Sequence, residues 1–315
     1  MSTGMADTER VRKELLTKGA KKRKLIEGLW GYAFMIPTLI GFSLFIIYPL
    51  IASGYYSLCE YSGFGKEKFV GFKNFIWMFT KDPTFGPAIR ATLKYVVFTV
   101  PALLIFGLLL ALLLNKTMSF VKVFRAIYYL PVVVPAVASL VLWKFIFSPD
   151  YGLVNGILAS LGLPTSRWLE DNNMVMVALT IIVVWGCGSQ MIIFLSGLQS
   201  VPAELYEAAV VDGASGSQQF FYVTVPMMTP ILFLQLITGL IGGFQVINPA
   251  LVITIDGSPN LKTFFLNFAI YKSAFDRREY GYAMALVWVL FFIIMFFTII
   301  IYRISDAYVY YESEN

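Results

Sequence analysis

The chain has 315 residues, of which 58% are hydrophobic and 17% aromatic but only 14% charged; soluble domains carry about 25% charged residues, so water is not its main solvent. It contains no histidine, which excludes His-based general base chemistry, Ser-His and Cys-His nucleophilic pairs, haem ligation through His and most zinc sites. The formal charge of +5 is no nucleic-acid signal, because most of the excess lies in the tail before the first apolar run.

That tail, residues 1–28, carries Arg10, Arg12, Lys13, Lys18, Lys21, Lys22, Arg23 and Lys24. A basic cluster beside a membrane span keeps its flank on the cytoplasmic side and is attracted to anionic lipid. Asp7, Glu9 and Glu14 interrupt it, and no small-residue cleavage site follows the first hydrophobic run, so it is read as a retained tail and not a cleaved signal. Cys59 and Cys187 stand far apart, beside or inside apolar segments, and are read as packing residues.

A helix needs about 20 apolar residues to cross the roughly 30 Å hydrocarbon core. Six stretches qualify: 29–51, 92–114, 127–147, 174–195, 228–247 and 283–302. The expected fold is therefore all-α and polytopic, with a transmembrane domain at 29–303 and a short tail at 304–315. The last span holds no charge and is worth roughly 4 to 8 kcal/mol of insertion free energy. Lys144 lies near the end of its span, where its ammonium reaches the interface. The piece from Phe69 to Phe79 is too short to cross and is expected to lie at the interface.

With the amino terminus inside, the second and fourth connections and the carboxyl terminus are inside too. The second connection agrees, carrying Lys116, Lys122 and Arg125 and no acid. The fourth, 196–225, does not: it has Glu204, Glu207 and Asp212 and no basic residue. Locally, Ser200 is expected to cap a helix that opens at Pro202, and Gly213 to end it in the left-handed conformation. Ser215 and Gln218 fit the capping box of a second short helix running to about Tyr222, with Pro226 marking entry to the next span. On the first helix Leu205, Ala208, Ala209 and Asp212 share one face. An acidic helix suits a partner's Arg or Lys better than an anionic leaflet, so the segment 202–226 reads as a docking loop.

Glu207-Ala208-Ala209, three residues, Gly213, nine residues and Val223-Thr224-Val225-Pro226 resemble the E-A-A-x3-G-x9-I-x-L-P loop of permease subunits of bacterial ABC importers. Two positions depart from the pattern, Val223 for Ile and Val225 for Leu. Pro202-Ala203-Glu204-Leu205-Tyr206 before the Glu, and Asp212-Gly213-Ala214 after it, are similar to the branch that imports oligosaccharides and glycerol phosphates. Leu130-Pro131, Tyr151-Gly152-Leu153-Val154-Asn155 and Trp168-Leu169 extend the likeness. The resemblance implies a type I permease in the bacterial inner membrane with both termini cytoplasmic. It further implies a second permease subunit, expected to be a paralogue with a homodimer left open, two ATP-binding-cassette ATPase subunits and an extracytoplasmic solute-binding protein. Glu204, Glu207, Ala208, Ala209, Asp212, Gly213 and Pro226 would then form the loop that docks on the ATPase. ATP and Mg would be held by that ATPase. The chain itself has no Gly-x4-Gly-Lys-Ser/Thr phosphate loop, and no cofactor, metal site or catalytic residue is expected on it.

A hydrated sugar needs polar and aromatic groups at membrane depth, where such groups are costly without a purpose. Trp185, Ser189 and Gln190 in the fourth span, and Gln245 and Asn248 at the end of the fifth, are the candidates. Close helix packing competes with this reading, above all at Gly239 and Gly243, four residues apart. An ion-coupled secondary transporter is the alternative, but it would normally place an acid inside a span, and none of the six holds one.

Overall fold

The computed structural model describes residues 29–115, 120–254 and 257–305. The basic tail, Lys116 and the segment from 306 onward lie outside the described residues. The chain divides into two units, 1–56 and 57–315. The described part of the first, 29–56, lies in helix α1 (Leu29–Ser57), a charge-free segment long enough to span, with one π-helical turn at Ser43–Ile47.

The second unit opens with a two-stranded antiparallel ladder, β1 (Cys59–Glu60) and β2 (Lys68–Phe69), in the register Cys59 to Phe69 and Glu60 to Lys68. Helix α2 (Lys73–Thr80) follows; the Asn74 amide anchors it by donating to the carbonyls of Ser57 and Cys59, 2.9 Å each. Phe72, Ile76 and Phe79 on or beside it are exposed.

Helix α3 (Phe85–Leu114) is the central post. Its buried residues recur at helical spacing, Ala88, Ala91, Thr92, Tyr95, Val96, Thr99, Val100, then Gly107, Ala111 and Leu114, and most are small, so neighbouring helices approach closely without a large hydrophobic driving force. Thr92 and Thr99 return their hydroxyls to the carbonyls of Ala88 and Tyr95, which satisfies groups that would be costly in lipid.

The third expected span is broken. Helices α4 (Val121–Val133) and α5 (Ala136–Ile146) meet at 99°. Val134 is extended, with ψ 132°, and Pro135 follows it; a proline disfavours helical geometry in the residue before it. With 13 and 11 residues, each piece is about 20 Å long or less and neither crosses alone. Lys144 lies exposed in the last turn of α5. After α6 (Leu153–Ser160), the fourth span is also a bent pair, α7 (Val175–Trp185) and α8 (Gly188–Ser200), turned by 53° at Gly186-Cys187.

Helix α9 (Ala203–Val211) belongs to the acidic loop. Helix α10 (Gly216–Gln219), a π turn at Phe220–Thr224 and helix α11 (Val225–Phe244) then follow without interruption. After α12 (Asn248–Val252) and α13 (Leu266–Tyr271) comes α14 (Tyr280–Ser305), the last span. Four helices are thus long and apolar enough to cross, or six spans with each bent pair counted as one. The main core gathers Tyr95, Val100, Phe147, Phe244, Phe265 and Leu286; a smaller one holds Ala111, Met191, Phe194, Leu198 and Met228. Both cysteines are buried and neither is in a disulfide, in keeping with a packing role.

Candidate coupling loop and translocation path

Pro202 stands at the N-cap of α9, and no side chain caps the helix. The expected cap, Ser200, instead donates its hydroxyl to the Gly197 carbonyl at 2.8 Å. The helix start lies on an exposed loop, where its orphan N–H groups do not require a side-chain cap.

The corner forms as its glycine predicts. Gly213 adopts φ 77°, the Gly213 N–H donates to the Val210 carbonyl at 3.0 Å and the Ala214 N–H to the Ala209 carbonyl at 2.9 Å, the pair of bonds that defines a Schellman stop. The second arm starts on the anticipated capping box: the Ser215 N–H donates to the Gln218 side-chain oxygen at 2.7 Å, and the Gln218 N–H to the Ser215 hydroxyl at 3.4 Å. It does not stop near Tyr222. Pro226 has no N–H to give, and the turn before it widens so that the Val225 N–H bonds back to Phe220; the helix passes into the membrane span through this π turn. Pro226 therefore lies inside a continuous helix and does not mark its beginning.

Two rigid arms therefore meet at a fixed corner. Tyr206 and Ala209, three residues apart, are the half-buried side of α9, and the Tyr206 and Thr224 hydroxyls lie 2.9 Å apart. Glu204, Leu205, Glu207, Ala208 and Asp212 are exposed, and the three carboxylates make no ion pair among the described residues. Ala209 is the member of the expected outer face that turns inward. Val210 and Val211, 62% and 86% exposed, were not singled out from sequence. Two adjacent β-branched residues at the end of a short exposed helix were the available sign.

The five path candidates fall at helix breaks. Trp185 ends α7, Ser189 and Gln190 open α8, Gln245 follows α11 and Asn248 begins α12. Their side-chain polar atoms have no hydrogen-bond partner among the described residues, although the Gln245 carbonyl accepts from the Asn267 amide at 2.7 Å. Trp185, Ser189, Gln190 and Asn248 do not line the groove that Gln245 does. Gln245 lines a groove of about 410 Å³ with Val287, Leu290, Phe291 and Thr298 of α14, and the buried Thr298 hydroxyl there lacks a partner. Trp185 is edge-on to Trp143 at 5.7 Å, and Gln190 packs at Gly107, where a Cβ would meet it at 3.0 Å.

Packing explains the glycines. A Cβ on Gly243 would meet Val96 and Val100 at 3.2 Å, and one on Gly239 would meet Val100 at 3.4 Å, so this pair seats α11 on α3. A Cβ on Gly188 would strike the Tyr128 carbonyl oxygen of α4. Among the described residues, no three Cys, Asp or Glu side chains converge as metal ligands.

Residues 95–309 match the family model described as binding-protein-dependent transport system inner membrane component. The chain is 35% identical over 292 residues to the probable ABC transporter permease protein YesP of Bacillus subtilis, covering 92% of this chain and 94% of that protein. It is 30% identical to the arabinooligosaccharides transport system permease protein AraP of the same organism, covering 88% of each. A crystal structure of a bacterial ABC transporter that imports the acidic polysaccharide alginate includes a chain of the same fold, with TM-score 0.80 and 23% identity over 90% of this chain and 98% of that one. Matches of this extent leave the ion-coupled carrier without support, and the loop, the bent spans and the apolar helices described above belong to a membrane subunit: the chain is a member of the binding-protein-dependent transport system inner membrane component family.

Proposed function

We propose that the chain is one of two permease subunits of a sugar importer, pairing with a second, paralogous permease and driven by two ATP-binding-cassette ATPases at the 202–226 loop. The cargo is a sugar or oligosaccharide handed over by an extracytoplasmic binding protein, in keeping with the names of its relatives. ATP and Mg reside on the ATPases. Both termini and the loop face the cytoplasm, in line with the basic tail.

The observation that carries this reading is the loop: three carboxylates on or beside an exposed helix, without ion pairs among the described residues, held by a Schellman corner and a capping box to a second arm that continues into a membrane span. Glu204, Glu207 and Asp212 supply charge to a partner's Arg or Lys, Ala208 allows close approach, and Gly213 and Pro226 shape the lever. Movement of α9 is passed straight into α11, whose far end carries Gln245. The path runs by Trp185, Ser189, Gln190, Gln245 and Asn248, where broken helices expose polar groups at membrane depth, an arrangement tolerated where it lines a cavity.

The test is Glu207→Arg in the assembled complex. Membrane insertion is expected to be intact and ATPase activity stimulated by loaded binding protein to be lost. Normal transport by this variant would remove the docking assignment. Gln245→Ala and Gln190→Ala are expected to lower transport while leaving the ATPases bound.

A further inference from the structure

Helix α2 separates two concave surfaces of different chemistry. On one side Lys73, Asn74 and Trp77 line a cavity of about 550 Å³, within the size range of ligand sites. Five cations line it, Lys66, Lys68, Lys73, Arg277 and Arg278, against the carboxylates of Glu60 and Glu279. Lys73 is engaged with Glu60 at 3.3 Å, whereas Lys66, Lys68 and Arg278 make no salt bridge among the described residues. Arg278 stands at φ 57°, a left-handed conformation uncommon for a non-glycine residue. Trp77 and Tyr282, edge to face at 4.9 Å, line the same cavity.

On the other side Phe75 and Phe79 line a groove of about 430 Å³ with Val289, Phe292, Ile293 and Phe296 of α14, and every side chain lining it is apolar. Tyr282 and Val289 lie on one helix seven residues apart, so the groove begins about 10 Å along the axis from the cationic cavity. Trp and Tyr mark the membrane interface, and clustered Lys and Arg attract anionic lipid headgroups by their charge. A soluble anion would leave the apolar groove unused; a zwitterionic lipid would leave the surplus cations uncompensated.

The geometry points to a binding site for one anionic phospholipid, its phosphate held by Lys66, Lys68 and Arg278 beside Trp77, and one acyl chain laid along Phe75, Phe79, Phe292 and Phe296. The full-length protein, purified in mild detergent, is offered phosphatidylglycerol or phosphatidylcholine and bound lipid is counted by native mass spectrometry. Phosphatidylglycerol is expected to be retained in preference to phosphatidylcholine, and Lys66→Gln with Arg278→Gln to weaken its retention about fivefold per charge removed. Phe292→Ala with Phe296→Ala, which leaves every cation in place, is expected to weaken it as well. Equal retention of the two lipids, or wild-type retention by either double variant, overturns the proposal. Displacement of phosphatidylglycerol by an equal concentration of glycerol 3-phosphate also overturns it, because the site would then belong to a soluble anion.

Discussion

The Tyr206 hydroxyl lies 2.9 Å from the Thr224 hydroxyl and joins the exposed helix of the acidic loop to the π turn that leads into the fifth span. Thr224 is buried, and its hydroxyl also reaches the Gln219 carbonyl at 3.4 Å. Force on α9 therefore has a route into α11 besides the backbone corner. Tyr206→Phe keeps the ring and deletes the bond, at a net cost of about 1 kcal/mol. Basal ATPase activity of the complex is expected to be unchanged and binding-protein stimulation to fall. A cycle with Thr224→Val measures the coupling, and additive effects of the two substitutions would show that the bond carries no force.

Gly213 has open space where a Cβ would stand, so its requirement is the φ of 77° alone. Gly213→Ala is expected to destabilise the corner by about 1–2 kcal/mol. Gly213→Asn should cost less, because Asn tolerates this conformation. Hydrogen exchange at the Gly213 and Ala214 amides, which make the two corner bonds, reads the difference directly.

Features governed by nearest neighbours were legible in the sequence. Gly213 and the Ser215–Gln218 box are backbone solutions that a few residues determine, and both form as expected. The failures needed information from further away. Ser200 has the right chemistry for a cap but spends its hydroxyl on the turn behind it. Ala209 shares a helical face with Ala208, yet it turns inward because Tyr206 is fastened to Thr224, eighteen residues on. Pro226 read as the entry to a new span after a helix ending near Tyr222, and the π turn instead joins the two into one helix. In the third span an apolar window hid the break, although Val134-Pro135 was visible. The path candidates stand out by polarity; for the three in the fourth span, the two glycines of Gly186-Cys187-Gly188 were the local sign of the bend beside them.

Outside the spans, Asp82 ties α2 to α14. Partial burial pushes its carboxyl up, but hydrogen bonds from the Tyr282 hydroxyl and from the Thr84 hydroxyl and N–H outweigh this, with Arg277 adding to them, and hold it below the ordinary 3.8. A carboxyl depressed in the folded state stabilises above its unfolded value, and that contribution is lost as pH falls through the folded one. Acidification below about pH 4 is therefore expected to lower the melting temperature of the wild type, while Asp82→Asn starts lower at pH 7 and responds less to acid. Parallel melting curves for the two proteins between pH 7 and pH 3 would remove Asp82 from the acid response.

Two glycines near the candidate path separate packing from free space. At Gly188 an added methyl collides with the Tyr128 carbonyl oxygen and lies 3.0 Å from the Tyr129 Cα, both backbone atoms that cannot turn aside. At Gly242 nothing stands within 4 Å. Gly188→Ala must therefore push α4 away from α8 and is expected to cost about 1–3 kcal/mol, the usual range for overpacking, seen as a lower melting temperature and poor recovery of assembled complex. Gly242→Ala is expected to melt at or slightly above the wild type, since alanine is favoured over glycine in a helix by about 1 kcal/mol. Loss of transport by Gly242→Ala with its stability retained would then have a single physical reading: the space beside Gly242, three residues before Gln245, is filled during transport by the cargo or by a neighbouring helix.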